Sequence, residues 1–555
     1  MKKTLAILLA LVLICSLVAC NKTVDNNNSN NNNNSAPPAS VPPVTSTTPP
    51  SGNQPAPPPT QPGIATEKPP EGAKLRDHIT IMNDGPATPV IDAFSTAGNG
   101  AQCGWIYTMI TDRLFMYNEQ TTEFDPMLAT KWETKDNQNY RFWLRDDVTF
   151  HNGEHFTAKD VKWTCEIARN YPGSQANNRW GYVAEAKVID DYTIDLILDK
   201  PNAGFLMQLS SPPMGIYNEK AYKEQPDTWT WIGTGPYKVV GFSANEYADL
   251  EMFPDCWDKC AQTKMVSFRF IPEESVRPVM MLNDSFQFSL GILADDLDVF
   301  DKDPNFKLLP RRLNSPISLG FNMDDPITGD LNFRLAVIHA LDGDEIGLVG
   351  EGARGYAPKT DGAVWGWTVP FRNWDIPAPK RDLNLAKEYL AKSKWDGKPV
   401  EIAAMPGGLG RAAETIQAQL QAIGLPIELK IMDQPSLFAY CAFGNNQCQM
   451  YVFPAIFDLC PFMGTRSNYA PGAMNFTGYK NPRVIELIEA AEKTADTELQ
   501  RKYFYEIQEI ACTDWPQFGM FWKEFIDVAY ANVFGYVMSN TSPNHNFRAI
   551  YQLLD

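Results

Sequence analysis

The chain reads as an α/β protein, and three observations predict that class. Between residues 399 and 461, strand-like and helix-like segments alternate in the order β-α-β-α-β, the pattern of a parallel sheet with helices on its faces. Helices with readable caps recur, at Thr157, Asn481 and Thr497. Roughly 485 residues follow a low-complexity leader, enough for about three domain-sized units.

The leader comes first. Met1-Lys2-Lys3 precedes an apolar run over 5–18 and then Leu17-Val18-Ala19-Cys20. A basic start with a short apolar core is a secretory signal, too short to span a membrane. The small residues before Cys20 resemble a bacterial lipobox, so 1–19 is expected to be removed and Cys20 to carry lipid. Residues 20–73 are rich in Asn, Pro, Ser and Thr; with almost nothing to bury, such a segment cannot offset its ordering entropy and is expected to be a disordered tether.

The globular part opens with a strand over 78–82 (HITIM) that ends in a turn at Asn83-Asp84-Gly85-Pro86. A helix is expected over 105–117, with Ile106, Met109, Ile110 and Leu114 inward. Asp84 and Trp105 are candidate ligand-facing residues at these two places. Residues 140–145 (YRFWLR) alternate as a half-buried strand, 146–154 build a turn, and Thr157 with Asp160 forms a capping box for the helix that follows. A strand at 193–198 places Ile194, Leu196 and Leu198 on one face. Gly233-Thr234-Gly235-Pro236 lacks the length and lysine of a phosphate loop and reads as a structural turn. Strands are expected over 237–242, 248–253 and 265–271, and an amphipathic helix over 332–341.

Within 399–461, strands are expected at 400–404, 427–431 and 449–453, with a helix over 412–423 between the first two. Ligands of open α/β sheets lie beyond the carboxyl ends of the strands, so the loops 405–410 and 454–461 should face a cleft. Asn481-Pro482 starts one helix and Thr497 to Gln500 caps another that runs through Ile510; a strand near 525–530 closes the chain.

The formal net charge is −18, which excludes a nucleic-acid surface because phosphate binding needs basic patches. Eight cysteines follow Cys20; an even number permits disulfides, but about a hundred connectivities are open and buried thiols are an alternative. His151-Asn152-Gly153-Glu154-His155 matches the inverted zinc-peptidase pattern, yet it falls in a turn, where the two histidines do not share a helix face. No nucleophile elbow or Cys/His pair is present, so no enzyme, metal or cofactor is expected. Aromatic residues in loop-like segments are the better lead: Trp365, Trp367, Trp374, Phe453 and Phe457 could line a pocket, with filling of the core as the alternative.

Several stretches carry a resemblance: LATKWE (128–133), RFWLRDDVTFHNGEHFTAKDVKW (141–163), GTGPYKV (233–239), NFRLAVIHALDGDEI (332–346), and the segments 412–433 and 479–518. Together they resemble family 5 extracellular solute-binding proteins, the peptide- and nickel-type receptors of ABC importers. The resemblance implies a two-lobe periplasmic-binding-protein-like fold, type II-like, with an additional α+β domain. Lobe I would comprise 76–119, 203–316 and 519–555, the additional domain 120–202, and lobe II 317–518. It implies a monomeric receptor, lipid-anchored outside the cytoplasm, that hands its ligand to a membrane permease. In peptide-binding members an Asp after the third strand of the lobe II unit pairs with the peptide amine, and Asp458 falls at that position. Ala455 and Val452 stand where that motif has Trp and Arg. An oligopeptide is the first ligand expectation, with an oligosaccharide stacked on Trp365, Trp367 and Phe457 as the alternative; a secreted hydrolase is the reading from another class.

Overall fold

The computed structural model describes residues 68–83, 90–94, 101–118, 123–171, 177–271, 273–292, 296–357, 362–366, 369–441, 447–455, 460–472, 474–539 and 545–554. The signal peptide, Cys20 and most of the tether lie outside the described residues. So do Asp84, Trp367, Phe457 and Asp458.

One 11-stranded sheet organises the chain. Its middle is an antiparallel pair of long strands, Phe306–Phe321 and Gln517–Tyr530. On one flank lie Met450–Pro454, Val400–Ala404 and Ile427–Ile431, the last two parallel to each other and Val400–Ala404 parallel to Met450–Pro454. The helices Gly408–Gln421 and Gln434–Cys441 connect them. This is the β-α-β-α-β unit that the alternation of Ile427, Leu429 and Ile431 with Glu428 and Lys430 predicts. On the other flank, Phe288–Ser289, His78–Asn83 and Met265–Phe270 run parallel, followed by the antiparallel strands Tyr247–Met252 and Tyr237–Ser243.

The stretch 128–163 supplies two strands of a separate four-stranded antiparallel sheet, in the order Ala129–Thr134, Asn139–Leu144, Thr193–Leu198, Val183–Asp190. Tyr140, Phe142 and Leu144 are buried on one face with Ile194, Leu196 and Leu198. The helix Ala158–Asn170 starts on the expected capping box: the Thr157 hydroxyl accepts from the Lys159 N–H, and the Thr157 N–H donates to the Asp160 carboxylate at 2.8 Å.

His151 ties this module to the glycine turn. Its Nδ1 accepts the Gly233 N–H at 3.3 Å and its Nε2–H donates to the Gly235 carbonyl at 2.9 Å. Burial lowers the His151 pKa, which favours the neutral ring this arrangement needs. Glu154 pairs with Lys220 at 2.6 Å, so the HNGEH pattern is a docking turn. The glycines are required by close approach: a Cβ on Gly233 would lie 2.0 Å from the Ile110 carbonyl oxygen, and one on Gly235 2.4 Å from that of Met109.

Three local expectations are corrected. The helix expected over 105–117 is Ala101–Ile110, and Phe115–Asn118 is a strand. Asp112 explains the break. Fully buried, its carboxylate accepts from Arg548 at 2.6 Å, Trp257 Nε1 at 2.8 Å and Thr234 Oγ1 at 2.9 Å, and those partners come from remote segments. The helix Thr497–Asp514 is capped by Asp496 rather than Thr497, because the Asp496 carboxylate accepts the Glu498 and Leu499 N–H groups. The strand expected near 525–530 is Gln517–Tyr530, and it does not close the chain, since Val533–Phe534 and Tyr551–Leu554 follow it.

A methyl group at Gly233 meets backbone, which cannot swing aside. Gly233→Ala is therefore expected to destabilise the protein by about 2 kcal/mol or more, read as a lower urea midpoint at unchanged slope.

Candidate functional site

The two long strands contribute to two different apolar cores. Leu309 and Ala529 belong to the core built around Ile79, Trp105 and Phe268, whereas Ile317 and Phe521 belong to the one built around Phe333, Ile402 and Ile416. Between these points Phe306–Phe321 buries the polar side chains of Arg311, Arg312, Asn314 and Ser315, and Gln517–Tyr530 buries Asp527 between the apolar Trp522 and Val528. Asp527 is 0% exposed. It accepts Arg311 Nε at 2.6 Å and the Gly291 N–H at 2.8 Å. Arg312 pairs with Glu524 at 2.8 Å, and the register shifts between Arg312 and Pro316. The strand pair is thus irregular where its first strand buries charged and polar side chains.

Loops from the parallel unit converge on this place. The Ala455 N–H donates to the Pro316 carbonyl at 2.9 Å, and Ser318 Oγ donates to the Phe453 carbonyl at 3.0 Å. Phe453 itself is half-buried, its ring edge-on to Phe438 at 5.2 Å. Trp365 is fully buried and shares a cluster with Ala455 and Cys460, the described residues on either side of 456–459. Its Nε1–H donates to the Pro370 carbonyl at 3.3 Å, and Phe504 lies against it at 5.6 Å. Gly366 lets this loop reach the strand, since a Cβ there would sit 2.9 Å from Asn314 Nδ2. Arg372 donates to the Trp365 carbonyl at 2.6 Å and stacks over Trp374 at 4.2 Å and Trp522 at 5.5 Å. So Trp365, the strand end at Ala455 and the polar crossover are brought together, with no exposed face on Trp365.

Trp105 lies on the other flank, stacked on His545 with ring centroids 5.6 Å apart. Both are fully buried. His545 Nδ1 accepts the Ser539 N–H at 3.0 Å, so the proton of the neutral ring is on Nε2. Burial, then the Arg311 charge, drives the His545 pKa far down and keeps the ring neutral. Among the described residues the Nε2 of His545 and the Nε1 of Trp105 have no hydrogen-bond partner. Sequence reasoning singled out Trp105 but missed His545, Arg311 and Arg372. The last three lack a local signal: His545 meets Trp105 from 440 positions away in the chain. Among the described residues no group of three His, Cys, Asp or Glu is placed to hold a metal ion.

Comparison with known proteins adds a family and a fold. The family model described as "Bacterial extracellular solute-binding proteins, family 5 Middle" matches residues 123–460. A Brucella ovis protein, whose name carries a provisional assignment as an ABC transporter peptide-binding protein, is 27% identical over 349 residues. That alignment covers 60% of this chain and 64% of the Brucella protein, so the chain spans less than two thirds of that relative's length. Among solved structures, the periplasmic binding protein DppA from Helicobacter pylori in complex with the peptide STSA superposes with a TM-score of 0.74 at 21% identity, covering 86% of this chain and 98% of that one. NikA from Brucella suis in complex with Fe(III)-EDTA superposes with a TM-score of 0.75 at 20% identity, covering 85% and 99%. At these identities the superpositions establish an α/β fold shared across most of the chain.

Two outcomes are expected from the buried charges. Because the folded pKa of His545 lies below its ordinary value of 6.5, the unfolded chain binds a proton there that the folded chain does not. Stability should thus be complete above about pH 6.5 and fall below it, by about 1.4 kcal/mol per pH unit for each such histidine. His545→Gln should reduce that slope in urea titrations between pH 7.5 and 5. Asp527→Ala should cost about 3–5 kcal/mol, because Arg311 is left buried without its carboxylate; calorimetry reads this as a lower melting temperature.

Proposed function

The chain belongs to the bacterial extracellular solute-binding proteins of family 5, a family of binding proteins rather than enzymes, and from that premise we propose that it captures an oligopeptide between two lobes and delivers it to the permease of an ABC importer. The observation that carries the reading is that relatives found independently by sequence and by fold bear peptide-binding names, the Brucella ovis protein and the Helicobacter pylori DppA complex among them. A peptide is rich in carbonyl oxygens, and the unpartnered N–H groups of Trp105 and His545 are the kind of donors such oxygens satisfy.

In this reading 76–119, 203–316 and 519–555 form lobe I, 120–202 an accessory domain, and 317–518 lobe II. The separation of the two cores along the long strands supports a division between the lobes, although Met520 and Phe521 pack with lobe II and the accessory domain shares its core with lobe I. The strands Phe306–Phe321 and Gln517–Tyr530 are then the only covalent route on which one lobe can turn against the other in the described sheet, and closure buries the ligand. Arg354 pairs with Asp301 at 3.0 Å, and the Ala203 N–H donates to the Glu492 carbonyl at 3.1 Å; both contacts join segments assigned to different lobes, as a closed form requires. Asp458 is proposed as the partner of the peptide amine. Lipid on Cys20 and the tether over 20–73 would hold the receptor at the membrane surface while leaving it free to turn.

Calorimetric titration of the mature protein with a peptide library tests both parts. Asp458→Asn should weaken a free-amine peptide about 30-fold or more, as loss of a buried charge partner does, while N-acetylated peptides should bind wild type equally poorly. Equal affinity of wild type and variant would remove the amine role. Binding of glycans with no response to any peptide would overturn the ligand class.

A further inference from the structure

Cys441 and Cys448 are the two sulfurs on which the chain concentrates chemistry that the capture reading does not use. Cys441 ends the helix Gln434–Cys441, and Cys448 stands two residues before the strand Met450–Pro454. Both are buried, in one apolar cluster with Leu437, Tyr451 and Phe476. The Gln447 N–H donates to the Tyr440 carbonyl at 3.3 Å, which holds the residues beside the two cysteines together, and the Cys448 thiol is near enough to Cys441 to raise its pKa. Cys256 and Cys260, closer in sequence, do otherwise: Cys256 donates to the Asp258 carboxylate at 3.2 Å and Cys260 to the Arg548 carbonyl at 3.7 Å.

We propose that Cys441 and Cys448 form a disulfide in the exported protein, a staple that fixes the helix Gln434–Cys441 to the strand leading into residues 455–461. The inference rests on the extracellular family and not on the ligand, since oxidising compartments are where such bonds persist. The oxidant is a disulfide-bearing donor. The thiolate of one cysteine attacks a donor sulfur and expels one donor thiolate; the second protein thiolate attacks the resulting mixed disulfide at the protein sulfur and expels the other. The two protein protons leave with the two donor thiols, so two thiols and one disulfide become one disulfide and two thiols. Contact with Cys448, and then burial, hold the Cys441 thiol well above its ordinary range. Few thiolates therefore form once the cluster has closed, which places the exchange before the final packing and shields the bond afterwards.

The test uses full-length protein exported by a bacterial host, purified without reductant, unfolded and alkylated before and after reduction, then mapped by peptide mass spectrometry. The expected result is a linked pair of peptides carrying Cys441 and Cys448, with neither thiol alkylated until reduction. Alkylation of both without reduction, or a link from either to a different cysteine, overturns the proposal. A second reading uses stability: reductant should lower the melting temperature of the wild type by several degrees and leave C441S/C448S unmoved. A wild type whose melting temperature ignores a reductant that opens the bond overturns the staple. Peptide affinity is not the readout, so failure here is distinguishable from failure of the capture reading.

Discussion

Everything in this fold hangs on the antiparallel pair formed by Phe306–Phe321 and Gln517–Tyr530. These strands are shared by two apolar cores that do not merge. Where the cores part, the strands bury charge in place of hydrocarbon, with Asp527 satisfied by Arg311 and by the Gly291 N–H. A buried ion pair of this kind gives little net stability against an apolar replacement, while removing one partner is costly. Its physical effect is therefore on conformation. The sheet hydrogen bonds resume on either side of an unpaired stretch, and among the described residues the two apolar cores stay separate. The register shift between Arg312 and Pro316 falls in the same place. In the proposed two-lobe reading, this irregularity in a long strand pair is where the hinge would lie.

Elements governed by local rules were legible in the sequence. The parallel unit at 399–461 is dictated by alternation and by Gly and Pro at the helix end, and the capping box at Thr157 forms as its residue types require. Elements governed by distant partners were not legible. The helix after Trp105 stops early because Asp112 turns inward to meet Arg548, 436 positions away, and nothing in the helix announces that bond. The cap at Asp496 shows a smaller failure. Both Asp496 and Thr497 satisfy the composition rule, and the ionised carboxylate is the stronger acceptor for the free N–H groups of the first turn.

The candidate site was legible as a neighbourhood and less so as a set of side chains. Trp365 sits among Gly, Asp and Pro, which reads as an exposed loop, yet it is fully buried. Loop composition reports backbone conformation, whereas burial is decided by what the loop packs on. Gly366 lets the backbone come close to Asn314, and that approach presses Trp365 into the cluster with Ala455 and Phe462. Trp105 was singled out as the first residue of the helix expected over 105–117, although that helix starts at Ala101. Its partner His545 could not be, since the stacking and the neutral tautomer exist only once the C-terminal segment has folded back on that helix.

Net charge misleads in a related way. The formal charge of −18 is a property of the whole surface, but among the described residues the interior has the opposite balance. Seven arginines are buried, namely Arg113, Arg277, Arg311, Arg312, Arg334, Arg372 and Arg548, against four carboxylates, Asp112, Asp160, Glu492 and Asp527. Three of those arginines, Arg311, Arg312 and Arg372, lie at or against the crossover strands. A charge acts far more strongly in the interior than at the solvated surface, but Arg311 and Arg312 are each paired with a carboxylate, Asp527 and Glu524, so the count of buried cations overstates the field between the cores. His545, held neutral beside Arg311, responds to that field. The overall acidity, a property of the solvated surface, therefore gives no reason by itself to look for a cationic ligand.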